Sequence, residues 1–165
     1  MSSAVPSDRA RIEREVLALL GDTAPLDALL DRVVTELQSR FPHYTGVYIY
    51  WLESGDMLRL RAFRGRPTEH VLIPVGQGIC GRAARERRTV VVDDVTADPA
   101  YLACSLETKS EIVVPVMRGA TVLGEIDIDS DVPGAFSDAD RGFLEKLAAL
   151  MGARAQRRGG DEVMV

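Results

Sequence analysis

Three carboxylates in the run Gly124-Glu125-Ile126-Asp127-Ile128-Asp129-Ser130, and the only two cysteines, Cys80 and Cys104, combine residue type and spacing in a way that suits chemistry. In a strand, residues two apart share a face, so Glu125, Asp127 and Asp129 point one way and Ile126 and Ile128 the other. A solvated sheet face explains an acidic stripe most simply. The alternative is a site, because Glu111 lies in the preceding run Ser110-Glu111-Ile112-Val113-Val114-Pro115 and both cysteines stand upstream in segments able to fold back over the same sheet. Crowded acids can hold an ammonium group, and crowding raises at least one carboxyl pKa, which leaves a proton to deliver. Thiols add a nucleophile and a redox couple.

The chain that must position these groups has 165 residues, enough for one domain with a real core and no disulfide or metal staples. Its 46% hydrophobic and 27% charged content is that of a soluble globular protein, and no apolar run is long enough to span a bilayer. Met1 to Ser7 lacks an apolar signal core, so a cytoplasmic location is expected. In that reducing compartment cysteines read as catalytic, redox-sensing or buried thiols before they read as a structural disulfide. A net charge of −5 argues against a nucleic-acid surface. The runs Arg59-Arg61-Arg64-Arg66 and Arg82-Arg85-Arg87-Arg88 read as a solvated strand face and the outer end of a helix, without the aromatic interleaving of a single-strand binder. His43 and His70 show no ligand spacing with the cysteines, so no metal site is expected.

Periodicity supplies the elements. Ser7-Asp8 is placed to cap a first helix carrying Ile12, Val16, Leu19 and Leu20, with Gly21 ending it. Pro25 opens a second helix with Leu26, Leu29, Leu30, Val33, Val34 and Leu37 on one face. Residues 45–52 and 57–63 form a hairpin, and 71–75 a short strand. Gly76-Gln77-Gly78-Ile79-Cys80-Gly81 leads into a helix over 82–87, and a strand over 89–92 follows. Residues 93–109 lack periodicity, which in a compact domain marks a functional or disordered segment. Strands over 111–117 and 122–129 come next, then a helix over 138–157 that buries Phe143, Leu144, Leu147, Leu150 and Met151. Ser137 with Asp140 has the spacing of a capping box. The ends, 1–7 and 158–165, are expected to be flexible around a core of about 25–157.

These elements describe an α+β domain, a mainly antiparallel sheet with N- and C-terminal helices on one face and a loop-covered pocket on the other. Their order resembles a single GAF domain. The likeness runs from roughly Pro25 to Arg157 and is most specific in Ile73-Pro74-Val75-Gly76-Gln77-Gly78-Ile79-Cys80-Gly81, in Thr108 to Pro115 and in Gly124 to Ser130. Among GAF proteins the sequence resembles the free methionine-(R)-sulfoxide reductases, small, usually dimeric cytosolic enzymes. The resemblance implies that Cys104, which stands seven residues before Glu111, is the nucleophile, and that Cys80 matches a second family cysteine able to act as a resolving thiol. Glu111, Asp127 and Asp129 would hold the ammonium group of a free amino acid, and Tyr44, Tyr48 and Trp51 are candidates to line its pocket. No bound cofactor is implied, only an external thiol reductant such as thioredoxin.

Two departures set this chain apart. His70 stands where the family generally has a third cysteine, ten residues before Cys80. The nucleophile lies in Ala100-Tyr101-Leu102-Ala103-Cys104-Ser105, whereas the reductases usually read Gly-His-Ile-Ala-Cys-Asp, and the approach from Asp98 resembles ligand-sensing GAF domains. A non-catalytic small-molecule-binding module acting through a partner is therefore the alternative. A cyclic nucleotide suits an acidic pocket poorly, and a bilin attached at Cys104 would colour the protein. The apolar faces of the terminal helices lead us to expect a homodimer; size-exclusion chromatography with light scattering checks this, and a monomer at micromolar concentration would contradict it.

Overall fold

The computed structural model describes residues 4–54, 56–99, 101 and 106–157. The helices are α1 (Ala4–Ala18), α2 (Leu26–Arg40), α3 (Gly78–Glu86) and α4 (Asp138–Arg157), and the strands are β1 (Gly46–Glu53), β2 (Met57–Gly65), β3 (Leu72–Pro74), β4 (Val90–Val92), β5 (Ser110–Arg118) and β6 (Thr121–Ser130). All pairings are antiparallel, in one six-stranded sheet of order β3-β2-β1-β6-β5-β4. The two long hairpins therefore lie side by side through β1 and β6, and β6 runs at the centre of the sheet.

Alternation along these strands builds two separate cores. Val47, Ile49 and Trp51 of β1, Ile112, Val114 and Val116 of β5, and Ile126 and Ile128 of β6 face the helices. There they meet Leu30, Val33, Val34 and Leu37 of α2 and Phe143, Leu144, Leu147 and Met151 of α4. Fully burying such side chains contributes about 1.5–3 kcal/mol each, so this face carries most of the hydrophobic stabilisation. The opposite face is smaller, with Tyr48, Tyr50, Leu58 and Val113 of the sheet under Ile79, Cys80, Ala83 and Ala84 of α3.

Three expectations shift. Helix α1 begins at Ala4, ahead of the Ser7-Asp8 pair; Pro6 then sits in the first turn, where its missing N–H has no intrahelical partner to lose. Helix α3 begins a turn before Arg82, which puts Cys80 inside it. Its seat on the end of β3 depends on Gly81, where a Cβ would lie 2.6 Å from the Pro74 carbonyl oxygen. In α4 the buried face takes Ala148, while Leu150 is exposed.

The start of α4 is a polar knot. The Ser137 Oγ accepts from the Asp140 backbone N–H at 3.2 Å, and Asp140 accepts from the Ser137 N–H at 2.9 Å. Asp140 is 2% exposed, yet it also accepts from Tyr44 Oη at 2.6 Å and Arg9 at 3.1 Å and sits 3.1 Å from a ring nitrogen of His43. Tyr44 is thereby withdrawn from the pocket assigned to it: its ring stacks on Phe41 in the helix-side core.

Burial works to raise the Asp140 pKa, but the hydrogen bonds from His43, Tyr44 and Ser137 prevail and hold it below the usual carboxylate range. A depressed folded pKa gives stability that is present above the unfolded value of about 3.9 and lost as pH falls below it. Asp140→Ala should cost about 2–4 kcal/mol in urea unfolding at neutral pH. Asp140→Asn should flatten the acid limb of the stability curve, and an unchanged limb would contradict this assignment.

Candidate active site

The acidic stripe faces the smaller core, and it is buried. Glu111 and Asp127 are each 5% exposed, Asp129 4% and Glu125 0%, so the solvated-face explanation fails. Register brings them together: Glu111 pairs with Asp129 across β5 and β6, while Tyr48 and Tyr50 of β1 stand opposite Asp127 and Glu125. Cross-strand partners share a face, so both tyrosines flank the acids. Tyr48 Oη donates to the carbonyl of Arg66 at 2.6 Å and Tyr50 Oη to that of His70 at 2.7 Å, which ties the segment between β2 and β3 to the acidic face.

Cys80, a free and buried thiol in the first turn of α3, reaches down to the stripe. Its Sγ donates to Asp127 Oδ2 at 3.2 Å. Sγ and one carboxylate oxygen each of Glu111 and Asp127 lie within 4.8 Å of one another. A cavity of about 20 Å³ opens beside them, lined among others by Tyr50, His70, Gln77, Cys80, Glu111 and Asp127. That is room for roughly one water.

Burial dominates the electrostatics. It pushes Glu125 well above the ordinary carboxylate range, with the Asp127 charge adding to the effect and the neighbouring Cys80 thiol offsetting a little. Asp129 is raised by burial and by Asp127, against the opposing charge of Arg66. Asp127 is raised by burial, partly offset by hydrogen bonds with Glu111 and Cys80 and by the charge of His70. Burial and then Asp127, Glu125 and Glu111 drive the Cys80 thiol up in turn. Among the described residues, neither oxygen of Glu125 nor Oδ1 of Asp127 has a hydrogen-bond partner. Burial with few donors disfavours the ionised form of these carboxyls, and a positive charge brought beside them favours it.

The structure thus brings Glu111, Asp127, Asp129, Cys80 and Tyr48 into one site. Tyr44 and Trp51 lie on the other face of the sheet, and Cys104 lies outside the described residues. Tyr50, Gln77 and the lining role of His70 were missed. Tyr50 was legible, since it stands two residues after Tyr48 in the same strand; Gln77 and His70 are brought in by loop closure and had no local signal. Histidine spacing carries no trace of the Cys80, Glu111 and Asp127 grouping, which three separate elements assemble.

Residues 23–153 match the GAF domain family. A free methionine-R-sulfoxide reductase of Escherichia coli is 34% identical over 142 residues, covering 86% of this chain and 85% of the relative. The structure of a free methionine-R-sulfoxide reductase from Neisseria meningitidis in complex with its substrate superposes with a TM-score of 0.85 at 30% identity, covering 93% of this chain and 92% of that one. The type II free methionine-R-sulfoxide reductase of Thermoplasma acidophilum gives a TM-score of 0.75 at 41% identity, over 78% of this chain and 91% of that one.

The buried acids leave a signature in stability. A carboxyl whose folded pKa is raised keeps its proton while the unfolded chain releases its own, so stability falls as pH rises from about 4 toward the folded pKa. Between about pH 5 and about pH 8, Glu125→Gln should lose less stability than the unmodified protein in urea titrations. Parallel pH slopes would show that Glu125 ionises freely in the folded state.

Proposed function

We propose, from the premise that this chain belongs to the GAF domain family, that it is a thiol-dependent reductase of free methionine-(R)-sulfoxide. The observation that carries this reading is the buried stripe of Glu111, Glu125, Asp127 and Asp129 set against a thiol, in a fold similar to reductases at 30% identity or more. No Lys or Arg lines the cavity among the described residues, so the charge that belongs there comes with the ligand. An ammonium group supplies it.

The chemistry follows in order. The substrate ammonium settles against Glu111, Asp127 and Asp129, whose carboxyls ionise as it arrives. Cys104 attacks the sulfoxide sulfur as a protonated neighbouring carboxyl delivers a proton to the oxygen, which leaves as water; a water then attacks the Cys104 sulfur and breaks its bond to the substrate, so methionine departs and Cys104 is left as sulfenic acid. A second thiol then displaces water to form a disulfide, which an external dithiol reduces. Cys80 is that second thiol in this reading. Its raised pKa makes it a hydrogen-bond donor at rest, so transfer of its proton to Asp127 is part of the resolving step. The external dithiol is thioredoxin-like, no bound cofactor takes part, and the working unit is a cytoplasmic homodimer.

The second reading is a GAF module that binds a cationic metabolite without turnover. The protonated resting state of Cys80 favours it.

Thioredoxin-coupled NADPH oxidation separates the two. We expect turnover of the free R epimer and not the S epimer, abolished in Cys104→Ser. Asp127→Asn should raise KM by about 30-fold or more, since removing one partner of a buried charge pair costs about 2–5 kcal/mol. No turnover with thioredoxin or dithiothreitol would overturn the reductase reading in favour of the binding module.

A further inference from the structure

We propose that Cys80, Glu111 and Asp127 form a binding site for one divalent cation of the zinc class, buried between α3 and the centre of the sheet. The three residues come from α3, β5 and β6, and one ligand atom from each lies within 4.8 Å of the others. One thiolate and two carboxylates are a donor set that zinc and cobalt accept, and the sulfur disfavours magnesium and calcium.

Two further observations point to an occupant. Glu125 is 0% exposed with both carboxylate oxygens unpartnered among the described residues, and it lies close enough to Cys80 for its charge to act on the thiol. Asp127 Oδ1 is likewise unpartnered and buried. Buried acceptors left this way are rare in folded proteins; a cation here would take Asp127 as a ligand and would be favoured by the Glu125 charge beside it. The cavity of about 20 Å³ that Cys80, Glu111, Asp127 and His70 line also has room for the water that completes a tetrahedral zinc with three protein ligands.

Binding is a simple exchange. The sulfur–metal bond forms as the Cys80 proton leaves to solvent, the carboxyls release whatever protons they hold, and no redox partner is needed. Binding itself does not depend on the reductase reading. Its consequence does: a metal held here occupies the ammonium position and keeps Cys80 from disulfide exchange, which makes it an inhibitor.

The test uses Co²⁺ on full-length Cys104→Ser, in which Cys80 is the sole thiol and no turnover intervenes. We expect one Co²⁺ per chain with a near-ultraviolet thiolate-to-cobalt charge-transfer band, displaced by Zn²⁺. Adding Asp127→Asn or Glu111→Gln should weaken binding about 10-fold or more, and circular dichroism checks that these variants fold. A rise in Tm with Zn²⁺ that disappears in Cys80→Ser supports the same site without a spectroscopic probe. No band and no Tm shift at a large excess of metal would overturn the proposal, as would a band that both carboxylate variants leave unchanged.

Discussion

Removing four carboxyls from water on one face of a sheet is the constraint on which the rest of this structure turns. Glu111, Glu125, Asp127 and Asp129 sit on the paired strands β5 and β6, where nothing but a covering layer can keep solvent away. Helix α3 supplies that layer, and it sits low enough only because Gly81 has no side chain to meet Pro74. Tyr48 and Tyr50 then fasten the β2–β3 segment through its carbonyls. The opposite face, packed on α2 and α4, provides the stability that a destabilising acidic face consumes.

The protein holds buried carboxyls in two opposite states, and the difference lies in the donors around them. Asp140 collects hydrogen bonds from Tyr44, Arg9 and Ser137 and so stays ionised below the usual range. Glu125 finds no hydrogen-bond donor among the described residues, and burial pushes its carboxyl well above the ordinary range. The first arrangement is a structural anchor that joins α1 and the segment before β1 to α4. The second is a reservoir of protons waiting for a positive charge, which is what a site for a free amino acid or a metal ion requires.

Much of this was legible. The period of two in β6 separates Ile126 and Ile128 from the acids, and the structure keeps that separation residue by residue. The same parity places Trp51 with Val47 and Ile49, on the helix side, so its assignment to the pocket was avoidable. Tyr44 was not avoidable in that way: it precedes β1, its backbone bonds to Phe41, and strand parity does not reach it. The early start of α3 rests on a close approach between Gly81 and Pro74, a tertiary fact without a local pattern. Burial of the stripe, which decides between a wet face and a site, depends on that same helix.

The central claim is that the buried acids hold protons until a cationic ligand replaces them. Calorimetric titration of Cys104→Ser with free methionine-(R)-sulfoxide, in buffers of differing ionisation enthalpy at constant pH near neutrality, measures the protons exchanged on binding. Net release of about one proton or more per ligand bound, lost or reduced in Asp127→Asn, is the result this account gives. Binding with no proton release would mean the stripe is already ionised in the empty protein and would contradict it.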